Sequence, residues 1–445
     1  MKNYIFILEI ILVSILIPWG INVQNIAIIF IVLIILCYHI FKSKKGYTIL
    51  FLTIMLCIPS TEDKNLGARF SYLFHIIRFG ILLTFIFQLK YLKYRNHIIT
   101  SNLKFVIFLV ILINILYSFA FDSFPFLLNS CLYYPIITYI FMWIAFNDRM
   151  NLNISKNSLD ILFAVFAVYV ILEFFFNISP YHFLYENDLS SIDVIRRAKG
   201  LLGHPLIVSC VVLLYESFLL YRLTQKEKIK LQIILCLIIG IITVSRTTYI
   251  LGILEILLWI ILNRKYKSFT FYFYFFIFII LFYFLATDIM SDYFTDVIYR
   301  FQNDNIDQRY GAYYIVEQLI SNYPLGCGPN FMETIRMERL NNIYFTNTFN
   351  TLDNYFLTQI AIYGYLAILI YIYDFYYMFI ICFHTKKYSK IIPAILLLFF
   401  TRILMSFTFD IQAYLSFNMI YYYILAYIIK NETLNINTNN IYNGK

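Results

Sequence analysis

Arg246 lies between two long apolar runs, in the stretch ITVSRTTYILG at residues 242–252. An arginine at the middle of a bilayer costs roughly 2.5–3.5 kcal/mol on insertion scales. A guanidinium stays charged at any working pH and binds phosphate oxygens through two parallel hydrogen bonds. The cost of placing Arg246 there must therefore be offset by a specific role of its charge.

Two other arginines lie in segments that could bind an anion. Arg197 belongs to RRAKGLLGHP, residues 196–205, where a glycine-rich turn leads into an apolar helix. Free backbone N–H groups at such a helix start bind anions, although the same pattern also fits an ordinary corner whose basic residues meet lipid headgroups. Arg309 opens the amphipathic stretch RYGAYYIVEQLISN, residues 309–322. An arginine at a helix start again suits an anion.

The composition shows what kind of protein must position these residues. The chain has 445 residues, of which 61% are hydrophobic and 13% are charged, and its mean hydropathy is +0.75. Its apolar runs reach the length of about 20 residues that a helix needs to cross a bilayer. The sequence therefore predicts an all-α polytopic membrane protein of about 12–14 transmembrane helices, with one large extracytoplasmic loop.

The distribution of basic residues predicts the orientation of the spans. With the N-terminus in the cytoplasm, most lysines and arginines fall in cytoplasmic connections, as the positive-inside rule requires. The net charge of +9 is thus a topology signal, and we expect no nucleic acid partner. A single integral membrane domain is predicted over residues 1–430, with extracytoplasmic loops at about 178–203 and 288–351. Residues 431–445 form a polar cytoplasmic tail that we expect to be disordered.

The same topology predicts a hairpin around Arg246. Both ends of residues 231–262 are basic, so this segment must enter the membrane and return with a turn near Ser245 and Arg246. The 14 residues from 231 to 244 rise only about 21 Å, whereas the hydrocarbon core is about 30 Å thick. Arg246 would then lie at the floor of a recess open to the outside. The alternative is one long tilted helix in which Arg246 pairs with Glu216 or Glu255.

Other reactive residue types are too sparse to indicate a second kind of site. Asp304 and Asp307 are two carboxylates three residues apart, which is weak evidence for a metal. No Cys-x-x-Cys motif occurs among the seven cysteines. We expect no metal and no cofactor.

The order of the motifs resembles that of one known family. The pattern RxxGxxGHP begins at Arg197, a short apolar run leads into Ser245-Arg246, and R-x(14)-P-x-G-x-G runs from Arg309 to Gly328. A polar dipeptide then opens the next span. This order resembles the bacterial O-antigen ligase and polymerase family, which are membrane glycosyltransferases that act on lipid-linked sugars. The resemblance covers about residues 197–365.

The resemblance implies a reaction and a set of partners. It implies metal-independent, inverting transfer of a glycan from undecaprenyl diphosphate to an acceptor hydroxyl, at the outer face of the bacterial cytoplasmic membrane. Arg197, Arg246 and Arg309 match positions that surround the diphosphate in the family, where positioned cations stabilise the leaving group. The partners implied are the lipid-linked glycan donor and acceptor, membrane lipid and a chain-length regulator protein.

Asp353 marks a departure from the family pattern. Ligases of the family carry a His-Asn pair at the start of the span after the long loop, and the histidine is proposed as the base. This chain has Asp353-Asn354 there, which fits polymerases better than ligases. Three interpretations of Asp353 are open: a base for the acceptor hydroxyl, an N-cap of the following helix, or a partner of an arginine.

Arg78 lies well inside a predicted span and also allows two interpretations. It extends the diphosphate site, or it pairs with Glu173 or another buried acid.

The sequence thus predicts a polymerase of lipid-linked repeat units. The alternatives are a ligase that moves finished glycan to lipid A core or another acceptor, and a transporter of lipid-linked sugars.

Overall fold

The computed structural model describes most of the helices that carry the motifs. The described residues are 2–23, 27–32, 34, 52–53, 56–57, 80, 98–123, 152–176, 178–181, 198–243, 245–263, 306–337, 352, 354–372, 375, 392–408 and 414–443. The chain divides into two compact units, the first formed by residues 1–36, 52–64 and 153–304 and the second by residues 37–51, 65–152 and 305–445.

Every regular element of the described residues is a helix, which confirms the predicted all-α class. The helices are α1 (Lys2–Asn22), α2 (Ile98–Ala120), α3 (Leu152–Phe176), α4 (Pro205–Thr224), α5 (Lys230–Ile242), α6 (Arg246–Asn263), α7 (Ile306–Asn322), α8 (Phe331–Met337), α9 (Tyr355–Tyr363), α10 (Ile392–Ser406) and α11 (Leu415–Asn443). Two short 3-10 turns lie at Gly200–Leu202 and Gly364–Leu366.

Within the described residues, three helical stretches are long and apolar enough to cross a membrane, judged by length and composition. They are Ser155–Phe176, Pro205–Thr224 and Tyr355–Ile372. Shorter apolar helices lie at Ile7–Ile21, Phe108–Ala120, Leu231–Ile242, Ile250–Asn263 and Ile392–Ser406. These helices agree with a polytopic membrane protein. The number of spans and the boundaries of the single predicted domain stay predictions. The roughly 12–14 predicted helices include the apolar stretches 69–89, 130–146 and 268–287, which fall almost entirely outside the described residues.

Helix α4 is the centre of the first unit. Its span is 89% buried within the protein, and both α5 and α6 pack against it. Helix α5 ends at Ile242 and helix α6 begins at Arg246. At this interruption of the helix, the Thr243 hydroxyl donates to the carbonyl of Gly240 at 2.7 Å. This side-chain bond competes with the regular helical ladder at the end of α5. The predicted turn next to Arg246 is confirmed, and the alternative of one continuous helix is wrong.

A chain of charged side chains joins α3 to the end of α4. The Arg222 guanidinium donates to Asp160 at 2.6 Å and to Glu227 at 3.0 Å. The Tyr215 hydroxyl donates to the same Asp160 oxygen at 2.7 Å, and Lys156 pairs with Glu227 at 3.0 Å. Two cations and two anions alternate in this chain, so the buried Arg222 has its charge balanced on both sides.

Helix α7 supplies the apolar core of the loop region in the second unit. Ala312, Ile315, Val316 and Leu319 are buried against residues of α8 and α9, and their spacing is that of one face of a helix. The amphipathic helix predicted at residues 309–322 is therefore confirmed, although it begins at Ile306. Arg309 thus lies in the first turn of α7 and not at its first residue.

The turn that follows α7 is docked on a bend in the span that begins with α9. The N–H of Cys327 donates to the carbonyl of Ala361 at 2.9 Å, and the N–H of Gly328 donates to the carbonyl of Ile362 at 3.0 Å. These carbonyls are left without helical partners where the 3-10 turn Gly364–Leu366 interrupts the helix. The loop therefore satisfies backbone groups that the bend exposes.

Two glycines make this approach possible. Gly326 has φ +83° and Gly364 has φ +56°, a region that L residues with a side chain rarely adopt. A Cβ added at Gly326 would collide with the carbonyl of Ile362, and a Cβ added at Gly364 would collide with the carbonyl of Pro324. Backbone packing against the bend thus requires the first glycine of P-x-G-x-G, Gly326, whereas the second, Gly328, packs against the Phe121 ring.

Tyr117 of α2 holds the turn and the bend together. Its hydroxyl hydrogen-bonds the carbonyl of Leu325 in the turn and lies 3.1 Å from the carbonyl of Tyr363 at the bend. The Tyr363 hydroxyl donates in turn to the Asn114 side chain, also on α2. Helix α2 therefore clamps two segments that lie more than 200 residues away in the sequence.

Helix α11 corrects the expectation of a disordered tail. It continues through the polar residues after Lys430 and ends at Asn443. No glycine or proline occurs between residues 415 and 443, so nothing in that stretch strongly disfavours a helix. Gly444, the first such residue, follows the last helical position. The prediction of a disordered tail, which rested on the polar composition of residues 431–445, is therefore wrong for the residues up to Asn443.

Candidate functional site

The five predicted site residues are only partly described. Arg78, Arg197 and Asp353 lie outside the described residues. Arg246 and Arg309 have described backbones, but the positions of their side chains are outside the description. Their roles therefore stay predictions. The described neighbours of these residues show which hydrogen-bonding groups lie in the same segments.

Arg246 is the first residue of α6 and follows the break in the hairpin directly. Ser245, its neighbour, is buried, and its hydroxyl has no hydrogen-bond partner among the described residues. A buried hydroxyl without a partner is costly, and it marks a place where a ligand or water would be bound. The helix start, the arginine and the serine together form a candidate anion site. The sequence interpretation missed Ser245, although its position beside Arg246 was the available signal.

Two acids near this hairpin lie deeper in the first unit. Glu255 is buried on α6 and accepts a hydrogen bond from Ser217 at 2.9 Å. The Glu216 carboxylate packs beside Gly252, where an added Cβ would lie 3.1 Å from its Oε2 atom. Gly252 thus provides the space that lets α6 approach α4 at this acid.

The corner around RRAKGLLGHP uses its backbone donors internally. The N–H groups of Lys199 and Gly200 donate to the Glu173 carboxylate at 3.0 Å and 2.5 Å. Within this corner, therefore, a carboxylate of the protein already occupies the pair of N–H groups that an external anion would need. This arrangement stabilises the end of α3 against the loop.

The start of α4 is satisfied in the same way. His204 is the N-cap, and its Nδ1 atom accepts from the N–H of Leu206 at 3.3 Å. Its carbonyl accepts from Ile207 and Val208, and Pro205 has no N–H to offer. The backbone N–H groups that the predicted anion site would use at this helix start are thus bonded within the protein. The arginine of this segment, Arg197, stays a predicted diphosphate ligand.

Asn354, and not Asp353, caps the helix after the long loop. Asn354 has an extended backbone, and its side-chain oxygen accepts from the N–H of Leu357 at 3.2 Å. Its amide donates to the Tyr313 hydroxyl at 3.2 Å and to the carbonyl of Phe407 at 3.4 Å. The interpretation of Asp353 as the N-cap is therefore wrong. Asp353 precedes the cap in the sequence.

The bond between Tyr313 and Asn354 joins the two elements that carry Arg309 and Asp353. Arg309 lies four residues before Tyr313 on α7, and residues at this spacing share a helix face. Asp353 is adjacent in sequence to Asn354. Helices α7 and α9 also pack against each other along their apolar faces. The second unit thus brings together the two segments on which a cation and a base were predicted.

Comparison with known proteins identifies the segment that carries most of these features. Residues 231–372, about a third of the chain, match the family model described as O-Antigen ligase. No curated protein matches the chain. The matched range includes the hairpin with Arg246, helix α7, the docked turn and the start of α9. It supports a glycosyltransferase-like activity of the O-antigen ligase and polymerase type on lipid-linked glycans in a membrane. The resemblance inferred from the motifs is confirmed, because residues 231–372 match the model of the O-antigen ligase family.

Proposed function

We propose that the protein is a polymerase of lipid-linked repeat units. The growing glycan would leave undecaprenyl diphosphate and pass to a hydroxyl of an incoming unit on the same carrier. The reaction would take place at the outer face of the cytoplasmic membrane, with both termini in the cytoplasm, and a chain-length regulator protein is a further proposed partner. The observation that carries the proposal is Asp353-Asn354 at the start of α9, within the family match, in place of the His-Asn pair of ligases.

The described surroundings of Asp353 support a chemical role for its carboxylate. Asn354 supplies the cap of α9, so the cap does not require Asp353. The Asp353 carboxylate would orient the acceptor hydroxyl and take its proton as the new bond forms. A carboxylate near arginines stays ionised. It is then a weak base, which suits a proton transfer late in the reaction.

Positioned arginines would stabilise the leaving group. Inverting transfer develops negative charge on the departing diphosphate, and fixed cations lower the barrier by meeting that charge. Arg246, Arg309 and Arg197 are the proposed diphosphate ligands, and Arg78 is a further one. The unpartnered Ser245 hydroxyl supports this role for the start of α6. No metal is required by this scheme, because guanidinium groups supply the positive charge.

A deletion strain distinguishes the polymerase from its two alternatives. Polysaccharide gels should show loss of long chains while a single repeat unit is still attached to the acceptor. A ligase would instead leave no glycan attached, and long chains would accumulate on the lipid carrier. A transporter would leave single lipid-linked units at the cytoplasmic face. Either of the last two patterns would refute the proposed polymerase activity.

A further inference from the structure

Two neighbouring tyrosines on α7 differ in one contact. Tyr313 and Tyr314 are exposed to nearly the same extent, 47% and 48%. The Tyr313 hydroxyl accepts a hydrogen bond from the Asn354 amide at 3.2 Å, whereas Tyr314 makes no hydrogen bond with the residues that the structure describes. The pair therefore offers a matched comparison. Tyr313 contacts the start of α9, whereas Tyr314 is its neighbour in sequence and makes no such hydrogen bond.

The amide of Asn354 fixes the direction of the hydrogen bond to Tyr313. Its oxygen is needed by the N–H of Leu357, and its second N–H is needed by the carbonyl of Phe407. The amide nitrogen must therefore point to Tyr313, and the phenolic oxygen must accept. A phenol has one proton to donate. The O–H of Tyr313 is therefore not used in this bond, and no described residue accepts it at the point where α7 meets the start of α9.

We propose that Tyr313 binds a sugar ring of the lipid-linked glycan. A pyranose has a face of C–H groups and a rim of hydroxyls, and a half-exposed tyrosine matches both with its apolar ring and its polar tip. The ring would stack on the C–H face, and the phenolic O–H would donate to a sugar oxygen. This inference rests on the proposed function, because the glycan is the substrate there, and it makes Tyr313 a substrate-binding residue.

A purely structural role for Tyr313 predicts a different behaviour. In that case Tyr313 serves only to tie α7 to Asn354, and its loss weakens the folded protein. The two helices are held mainly by buried apolar residues, such as Ile315, Leu319 and Leu357. Water can replace a hydroxyl at a half-exposed position. We therefore expect little change in melting temperature on removal of the Tyr313 hydroxyl.

The test compares four variants of the full chain in lipid nanodiscs. Tyr313→Phe removes the hydroxyl and Tyr313→Leu removes the ring, while Tyr314→Phe and Tyr314→Leu are the matched controls. The substrate is lipid-linked repeat unit extracted from a strain that lacks the protein. We expect KM to rise roughly fivefold for Tyr313→Phe, the size of one neutral hydrogen bond, and more for Tyr313→Leu. Both Tyr314 variants should stay near the wild-type KM.

Separate titrations show which substrate the ring contacts. Single units are varied at a fixed concentration of long-chain donor, and donor is then varied at a fixed concentration of single units. A rise in KM for either substrate supports the inference and assigns the sugar to acceptor or donor. Equal KM values for Tyr313→Leu and Tyr314→Leu would overturn it. So would a fall in activity that follows only the fraction of folded protein, as judged from the melting temperature.

Direct binding keeps this inference separate from the proposed polymerase activity. If wild-type protein elongates no chains, the proposed function fails before any variant is compared. Binding of the extracted lipid-linked unit to wild type and to Tyr313→Leu is then measured by thermophoresis. Weaker binding by Tyr313→Leu than by Tyr314→Leu sustains the sugar contact without polymerisation, and equal binding by the two variants refutes it.

Discussion

Replacement of Asn354 by alanine tests whether Asn354 has the structural role and the adjacent Asp353 the chemical one. Asn354 is 5% exposed, and its side chain makes three hydrogen bonds, with Leu357, Phe407 and Tyr313. We expect Asn354→Ala to destabilise the protein, while Asp353→Asn changes activity alone. The prediction follows because the cap and the packing contacts belong to Asn354.

The size of the loss can be worked out from the three contacts. Removal of a good N-cap costs about 1 kcal/mol. The carbonyl of Phe407 loses a bond that is long at 3.4 Å, for which about 0.5–1 kcal/mol is appropriate. Tyr313 is half exposed, so water replaces its lost partner at little cost. Asn354→Ala should therefore lower the free energy of unfolding by about 1.5–2 kcal/mol.

A thiol-reactive dye provides the assay. The four described cysteines, Cys57, Cys210, Cys236 and Cys327, are all buried, so the dye reacts as the protein unfolds on heating. Asn354→Ala should melt several degrees below wild type in detergent. Asn354→Ser should fall between the two, because serine caps the helix but is too short to reach Phe407.

Asp353→Asn is the decisive comparison in this series. Its melting temperature should equal that of wild type, while polysaccharide gels should show loss of long chains as severe as for Asp353→Ala. An Asp353→Asn variant that makes chains of wild-type length would remove Asp353 from the proposed chemistry. An Asn354→Ala variant that melts with the wild type would show that the cap and amide contacts do not hold α9, and the reasoning from the three bonds would be refuted.

Three other predictions concern the hairpin, the clamp and the charged chain. Arg222→Ala should lower the free energy of unfolding by about 2–4 kcal/mol, because it leaves two acids without their buried partner. The control Lys156→Ala, at a side chain that is 20% exposed against 4% for Arg222, should cost at most about 1 kcal/mol. Equal melting temperatures for the two variants would contradict this. Gly364→Ala should destabilise the protein by more than about 1 kcal/mol, since alanine is strained at positive φ. Tyr117→Phe should destabilise it by about 1–2 kcal/mol through its lost hydrogen bonds. Melting curves check both, and an unchanged melting temperature for Gly364→Ala would show that the bend is not locked. Arg246→Lys should shorten the polysaccharide at normal protein level, because an ammonium group cannot reproduce the bidentate contact; full-length chains from Arg246→Ala would make this arginine structural.

Several features were determined by the sequence alone. The apolar runs required a membrane protein made of helices, and the basic connections on both sides of residues 231–262 required a break near Ser245. The apolar positions of α7 at helical spacing required one buried face. Each of these signals is local, because a helix satisfies its own backbone within four residues. The order of the motifs was sufficient to indicate the family.

Other features were decided only by tertiary structure. Asp353 and Asn354 are equally good capping residues by type. In the folded chain Asn354 is the cap, with an extended backbone and with side-chain bonds to Tyr313 and Phe407, which are distant in sequence. Similarly, the N–H groups of Lys199 and Gly200 could have met an external anion, but the folded chain brings Glu173 to them. Hydrogen bonds of this kind join segments separated by tens to hundreds of residues, so their partners exist only once the helices have packed.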